Sequence, residues 1–261
     1  MPIPYELPTT DHTRLRKSPL KMMLGQIRFP AILALGELTY LAPFQESLRS
    51  EYPDFAMEQQ LGLQISERGA FKTEESRQWR LSSSDGIWSI VVGQSSLALQ
   101  SSSKDYTGYA EFRERFERVW DAALTLLRPA KRVQQGLRYV NHIEGKKSGH
   151  EWGSFINGEL LGPIGSQRFG ADIEQAVCEM ALRRPDGQLK LKHGIVQGGP
   201  HAKLGYLLDF DYFTQERPDV LATKAVLEQF DRFHELIYPL FRWSFREEAF
   251  KSFEPEQEES S

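Results

Sequence analysis

The chain has a single cysteine, Cys178, among its 261 residues. No intrachain disulfide can form, which fits a reducing compartment. No run of about 18 apolar residues occurs, so no spanning helix and no membrane association are expected. Met1-Pro2-Ile3-Pro4-Tyr5 lacks the apolar core of a signal peptide, and a cytoplasmic location is the expectation. Basic charge is not in excess, because 32 Lys and Arg stand against 36 Asp and Glu, for a net charge of -4. A domain that binds nucleic acid through its overall field is usually basic, so the balance argues against that class and leaves only a local basic face.

Several catalytic signatures are also missing. There is no Gly-x-Ser-x-Gly elbow, no Walker A loop and no dinucleotide-binding glycine pattern. Gly162-Pro163-Ile164-Gly165 is a turn and does not open a helix after a strand. His142, His193, His201 and His234 lack zinc-ligand spacing. Cys178 sits between Val177 and Glu179 in a strand pattern, where a buried, inert thiol is the default.

What the sequence does contain is a clear order of elements. Residues 1–19 hold Pro2, Pro4, Pro8 and Pro19 and read as an extended lead-in. Leu20 to Phe29 reads as a strand. Pro43 to Tyr52 reads as a helix with Pro43 in its first turn. Met57 to Ser66 reads as a strand. Gln78 to Ser83 and Ile87 to Val92 flank Ser84-Asp85-Gly86, a hairpin signal. Ser96 to Ser102 follows as a strand. Tyr109 to Leu127 carries Phe112, Phe116, Val119, Trp120 and Ala123 on one helical stripe.

The order then begins again. Gln134 to Ile143 reads as a strand, Trp152 to Leu161 holds a short helix, and Asp172 to Arg184 is a long strand closed by Pro185-Asp186-Gly187. Gln188 to Val196 and Tyr206 to Phe213 are strands joined through Gly198-Gly199-Pro200. A helix from Val220 to Trp243 contains Pro239, where a kink is expected. Residues 254–261 read as an acidic, disordered tail.

Residue matches reinforce this repetition. Ile27-Arg28-Phe29 resembles Leu137-Arg138-Tyr139, and Phe116-Glu117-Arg118 aligns with Phe230-Asp231-Arg232. Continuing without a gap, Asp121 meets Glu235 and Arg128 meets Arg242. The expected class is α+β: two tandem β-α-β-α units, 20–130 and 131–253, forming a curved antiparallel sheet with long helices on one face. That arrangement is similar to the TATA-binding-protein-like or helix-grip class, and it leaves the other face as the place to look for a site.

Gln26-Ile27-Arg28-Phe29, Gly136-Leu137-Arg138-Tyr139-Val140-Asn141 and Leu208-Asp209-Phe210-Asp211 resemble, in their order and spacing, a sporadically distributed bacterial protein family of uncharacterised function. The resemblance implies a bacterial, intracellular protein, and its patchy distribution suits an accessory of a defence or toxin-linked system. It implies no catalytic residues.

The candidate ligand-binding residues are Arg28, Arg138, Asn141, Asp209 and Asp211. Asp209 and Asp211 lie two apart on a strand, so both carboxylates point to one face, away from the helices. Such a pair suits Mg²⁺, which prefers hard oxygen ligands. The alternative is ion pairing with basic residues, Lys190 and Lys192 among them. Arg28 and Arg138 hold matching places, from which they either grip an anionic ligand or pair with Asp209, Asp211 or Glu174. Trp79, Trp88, Tyr106 and Tyr109 offer aromatic surface for a partner, or else fill the core. The leading expectation is a non-enzymatic binding or interaction module with a protein partner or an anionic ligand. The alternative is a metal-dependent enzyme or binder acting on a phosphate or nucleotide, with Asp209 and Asp211 on the metal and Arg138 on the anion.

Overall fold

Alternation with period two decides which side of a sheet each residue meets. The computed structural model describes residues 12–60, 63–66, 69–72, 76–102, 108–144, 152–166, 168–169, 173–197, 204–216 and 219–256. Its strands are β1 (Leu20–Arg28), β2 (Asp54–Gln60), β3 (Leu63–Ser66), β4 (Gly69–Lys72), β5 (Ser76–Ser82), β6 (Trp88–Gly93), β7 (Ser96–Ser102), β8 (Gln134–Glu144), β9 (Ala176–Arg184), β10 (Gly187–Gln197) and β11 (Leu204–Thr214). Its helices are α1 (Leu38–Leu48), α2 (Tyr109–Leu126), α3 (Gly158–Leu161), α4 (Thr223–Trp243) and α5 (Glu247–Lys251). Nine strands form one open antiparallel sheet in the order β2-β5-β6-β7-β1-β8-β11-β10-β9, while β3 and β4 pair separately. No described helix is long and apolar enough to cross a membrane.

The chain divides into two compact units, Met22–Leu137 with Phe213–Phe230, and Met1–Lys21 with Arg138–Tyr212 and Asp231–Ser261. In the first, alternate residues Met23, Ile27, Leu97, Leu99, Ile90, Val92, Trp79 and Leu81 are buried on one side of the sheet. The stripe Phe112, Phe116, Val119, Trp120 and Ala123 of α2 is buried with them. Phe230, at the start of α4, meets Phe112 edge-on at 5.5 Å and Phe116 at 4.6 Å. A buried polar clamp fixes where α4 begins. Arg132 donates to Asp219 at 2.7 Å and to Gln135, and Gln135 donates to the Val226 carbonyl at 2.8 Å. Trp79 and Trp88 are core residues here. Tyr109 is half-buried, and Tyr106 lies outside the described residues.

In the second unit, Tyr139, Ile143, Tyr206, Leu208, Phe210, Tyr212, Leu189, Leu191 and Ile195 form the buried side. The later turns of α4 cover it. Phe233 stacks on Tyr212 at 4.4 Å, and Phe241 meets Phe210 edge-on. The carbonyl of Leu160 in α3 accepts from the Tyr206 hydroxyl, so α3 lies on the same side. In both units the opposite side of the sheet mixes polar residues such as Gln26, Gln100, Arg138 and Asp211 with half-buried apolar ones such as Met22, Leu24, Val140 and Leu207.

Some boundaries differ from the sequence expectation. The helix expected to start at Pro43 begins at Leu38 and encloses that proline. Its stripe Leu41, Phe44 and Leu48 is buried at helical spacing, and that packing outweighs the backbone bond Pro43 cannot make. The strand expected over Met57–Ser66 is divided between β2 and β3. β9 starts at Ala176, because Ile173–Gln175 have no strand partner. The expected loop Gly198-Gly199-Pro200 and the last residues of the acidic tail lie outside the described residues. Pro239 sits inside α4, which is helical from Thr223 to Trp243.

Gly25 shows how closely the helices approach the sheet. A methyl group there would meet Phe112 Cζ at 2.3 Å and Phe230 Cε1 at 3.2 Å. Two rings thus rest directly on the β1 backbone. Gly25→Ala is expected to destabilise the protein by about 2 kcal/mol through overpacking, measured by urea denaturation.

Candidate functional site

On β8 the residues Gly136, Arg138, Val140 and His142 alternate with the buried Leu137, Tyr139, Asn141 and Ile143. On β11, Leu207, Asp209 and Asp211 alternate with the buried Tyr206, Leu208, Phe210 and Tyr212. The two polar sets share the helix-free side. Their centre is a bidentate ion pair in which Arg138 Nε donates to Asp209 Oδ1 at 2.8 Å and Nη2 donates to Oδ2 at 2.6 Å. The Asp209 side chain is 7% exposed and that of Arg138 is 42% exposed. The carboxylate is therefore sunk in the sheet while the guanidinium caps it. The hydrogen bonds that Arg138 donates to Asp209 hold its charge in place, raising its pKa against the opposing effect of burial.

Asp211 is the next carboxylate on the same side. It is half-buried, and burial pushes its pKa above the usual carboxylate value. The Asp209 charge pushes the same way, whereas Arg138 and Lys190 pull it back. Among the described residues Asp211 makes no hydrogen bond. His142 lies over Gly205, where a methyl group would sit 2.1 Å from the ring Nε2. That nitrogen is buried without a hydrogen-bond partner among the described residues, and burial lowers the His142 pKa. Asn141 belongs to the other, buried side, where its Nδ2 donates to the Leu208 carbonyl at 3.3 Å.

Arg138, Asp209 and Asp211 therefore come together, as the sequence allowed, and Asn141 points away from them. Arg28 serves its own unit. Its Nη1 donates to Glu216 at 2.7 Å and to Gln134 at 3.3 Å. Lys192 stands opposite Glu179 across the β10–β9 ladder, and Lys190 stands opposite Ala181. His201 lies outside the described residues. His193 is buried, with Nδ1 3.1 Å from the Tyr206 hydroxyl, and faces the exposed Cys178 across the ladder.

The metal reading needs carboxylate oxygens to spare. Each oxygen of Asp209 already accepts one hydrogen bond from Arg138, whereas the Asp211 carboxylate accepts none among the described residues. No cluster of three or more His, Cys, Asp or Glu side chains is found among the described residues.

A second cluster went unread in the sequence. His12 lies 3.1 Å from Glu235, and its ring is 4.5 Å from His234 and 4.2 Å from Tyr238. His234 Nδ1 is 2.9 Å from the Tyr139 hydroxyl. Burial, with a smaller push from His12, lowers the His234 pKa from 6.5 to about 3. The two histidines are far apart in the chain, so no local spacing marks them.

Two outcomes are expected. Arg138→Ala leaves a sunken carboxylate uncompensated and costs about 2 kcal/mol of stability. Adding Asp209→Asn to that variant recovers part of the loss in urea denaturation. For His234 the folded state disfavours the proton. Its contribution to stability is whole above pH 6.5 and declines as pH falls toward about 3. His234→Gln should flatten the stability curve across that interval, in denaturation midpoints taken at successive pH values.

The chain matches no protein-family model and no curated protein, so the reading of this site rests on its geometry.

Proposed function

We propose that the chain is a binding module whose helix-free side, around Arg138, Asp209 and Asp211, receives a basic side chain of a protein partner. The observation that carries this reading is the state of Asp211. It is half-buried, its ionised form is disfavoured by burial, and it has no hydrogen-bond donor among the described residues. A carboxylate in that position gains most from a donor supplied from outside. Arg138 does not offer its charge to a simple anion, because Asp209 neutralises it at short range. Val140 and Leu207, both half-buried, supply apolar surroundings for the stem of an arriving lysine or arginine.

The phosphate or nucleotide alternative asks Arg138 to hold an anion and Asp209 with Asp211 to hold Mg²⁺. The bidentate pair occupies both roles at once, which is why the binding reading is preferred.

The finer fold reading, a tandem duplication of the helix-grip or TATA-binding-protein-like kind, belongs with this proposal. It is supported by strand order. Counting outward from β1 gives β7, β6, β5 and then β2, and counting outward from β8 gives β11, β10 and β9, so the first half has one further strand at its edge. In each half the first strand lies innermost and the later strands follow in reverse order. An experimental structure in which 20–126 and 134–243 fail to superpose would overturn it.

A peptide-display selection tests the binding proposal. The wild-type protein should enrich sequences containing Arg or Lys, and Asp211→Asn should bind those peptides about tenfold more weakly, the loss of one charged hydrogen bond. Enrichment without basic residues, or equal binding by the variant, defeats the proposal. Calorimetry with Mn²⁺ is the counter-test, since heat of binding that disappears in Asp211→Asn would restore the metal alternative.

A further inference from the structure

β9 ends the sheet, pairing with β10 on one side and with no described strand on the other. An edge strand exposes a row of backbone N–H and C=O groups, and proteins usually blunt such rows with proline, lysine or a short length. β9 runs for nine residues, Ala-Val-Cys-Glu-Met-Ala-Leu-Arg-Arg, without proline or lysine. The opposite edge strand, β2, follows Pro53 and carries Asp54 and Glu58, while β9 precedes Pro185 and carries Glu179, Arg183 and Arg184. Apolar groups on β9 are also left open. Val177 is 39% exposed, and Met180 and Leu182 are only half-buried.

The sequence of β9 is complementary to itself. Antiparallel pairing of two copies, with Ala181 opposite Ala181, sets Glu179 opposite Arg183 twice on the helix-free side. The same register sets Met180 opposite Leu182 twice on the helix side. Centring on Met180 would face Val177 with Arg183, and centring on Leu182 would face Ala181 with Arg183, so neither neighbouring register pairs opposite charges. Within one chain, Glu179 and Arg183 are exposed and form no ion pair among the described residues. Cross-strand pairs of opposite charge and of apolar side chains each favour the ladder that contains them.

We propose that β9 is a homodimer interface, in which two copies of this chain join edge to edge through antiparallel β9–β9 pairing centred on Ala181. The occupant is a second copy because the same nine residues supply both halves of the charge and apolar matching, as an isologous contact requires.

Sedimentation of the full chain tests this. The wild type should sediment as a dimer. Glu179→Arg and Arg183→Glu, which set like charges opposite each other, should each weaken dimerisation about tenfold, and the double exchange should restore it. In a Cys178→Ser background, Ala181→Cys should give a disulfide-linked dimer on oxidation, because the two positions coincide at the axis. A chain that stays monomeric at high micromolar concentration overturns the proposal, including the case in which β9 accepts a strand from a different protein. A dimer indifferent to both single exchanges, a double exchange that fails to restore it, or an Ala181→Cys variant that does not cross-link overturns it equally.

Discussion

The sheet has one side that must be dry, and the rest of the architecture follows from that requirement. Alternate residues on β1, β5, β6, β7, β8, β10 and β11 are large and apolar, and they are buried. Only a second layer can keep them so. The apolar stripes of α2 and α4 supply it, and the fit is close enough that Gly25 has no room for a methyl group. Several polar groups trapped on this side are paired within it: Arg132 with Asp219 and Gln135, and Tyr139 with His234. Such pairing is what burial demands of polar atoms.

Much of this was legible because it depends on periodicity. The alternation Tyr206, Leu208, Phe210 and Tyr212 against Leu207, Asp209 and Asp211 is visible in the chain, and it places both aspartates on the helix-free side before any coordinate is known. The α2 stripe is equally plain. Helix starts were less legible. Pro43 looked like a first-turn residue by local preference, but the burial of Leu41, Phe44 and Leu48 belongs to tertiary packing and carried the helix further back. Partner choice was not legible at all. Alternation gives a side of the sheet and not a neighbour, so Lys190, Lys192 and Arg138 were equal candidates for Asp209 until strand order brought β8 beside β11. The His12 and His234 cluster was hidden for the same reason, since one member comes from the lead-in segment and the other from the last long helix.

The helix-free side obeys a different rule, because water or a partner can reach it. A carboxylate as deep as Asp209 is costly there unless its charge is met in full. Arg138 meets it with two parallel hydrogen bonds, the geometry in which a planar guanidinium matches a carboxylate best. That solution consumes both Asp209 oxygens. It also leaves Asp211 next to a neutralised pair rather than a bare cation, which is why burial governs its protonation. One strong contact thus neutralises Asp209 and leaves beside it a half-buried carboxylate, Asp211, that accepts no hydrogen bond among the described residues.

Strand order carries the argument to the margins of the sheet. Because β1 and β8 lie innermost in their halves and the strands that follow each of them run from the edge back inward, the first strand of the last meander, β9, lies at the rim. A rim strand can be stabilised from one side only, by β10 in this case. Its remaining backbone groups must be solvated or paired. The sequence of β9 does little to favour solvation: Val177, Met180, Ala181 and Leu182 are apolar, and its charges fall at Glu179, Arg183 and Arg184. Two of those charges are of opposite sign and equally far from Ala181. In a single chain that symmetry has no structural consequence, and it acquires one only when the strand meets its own copy.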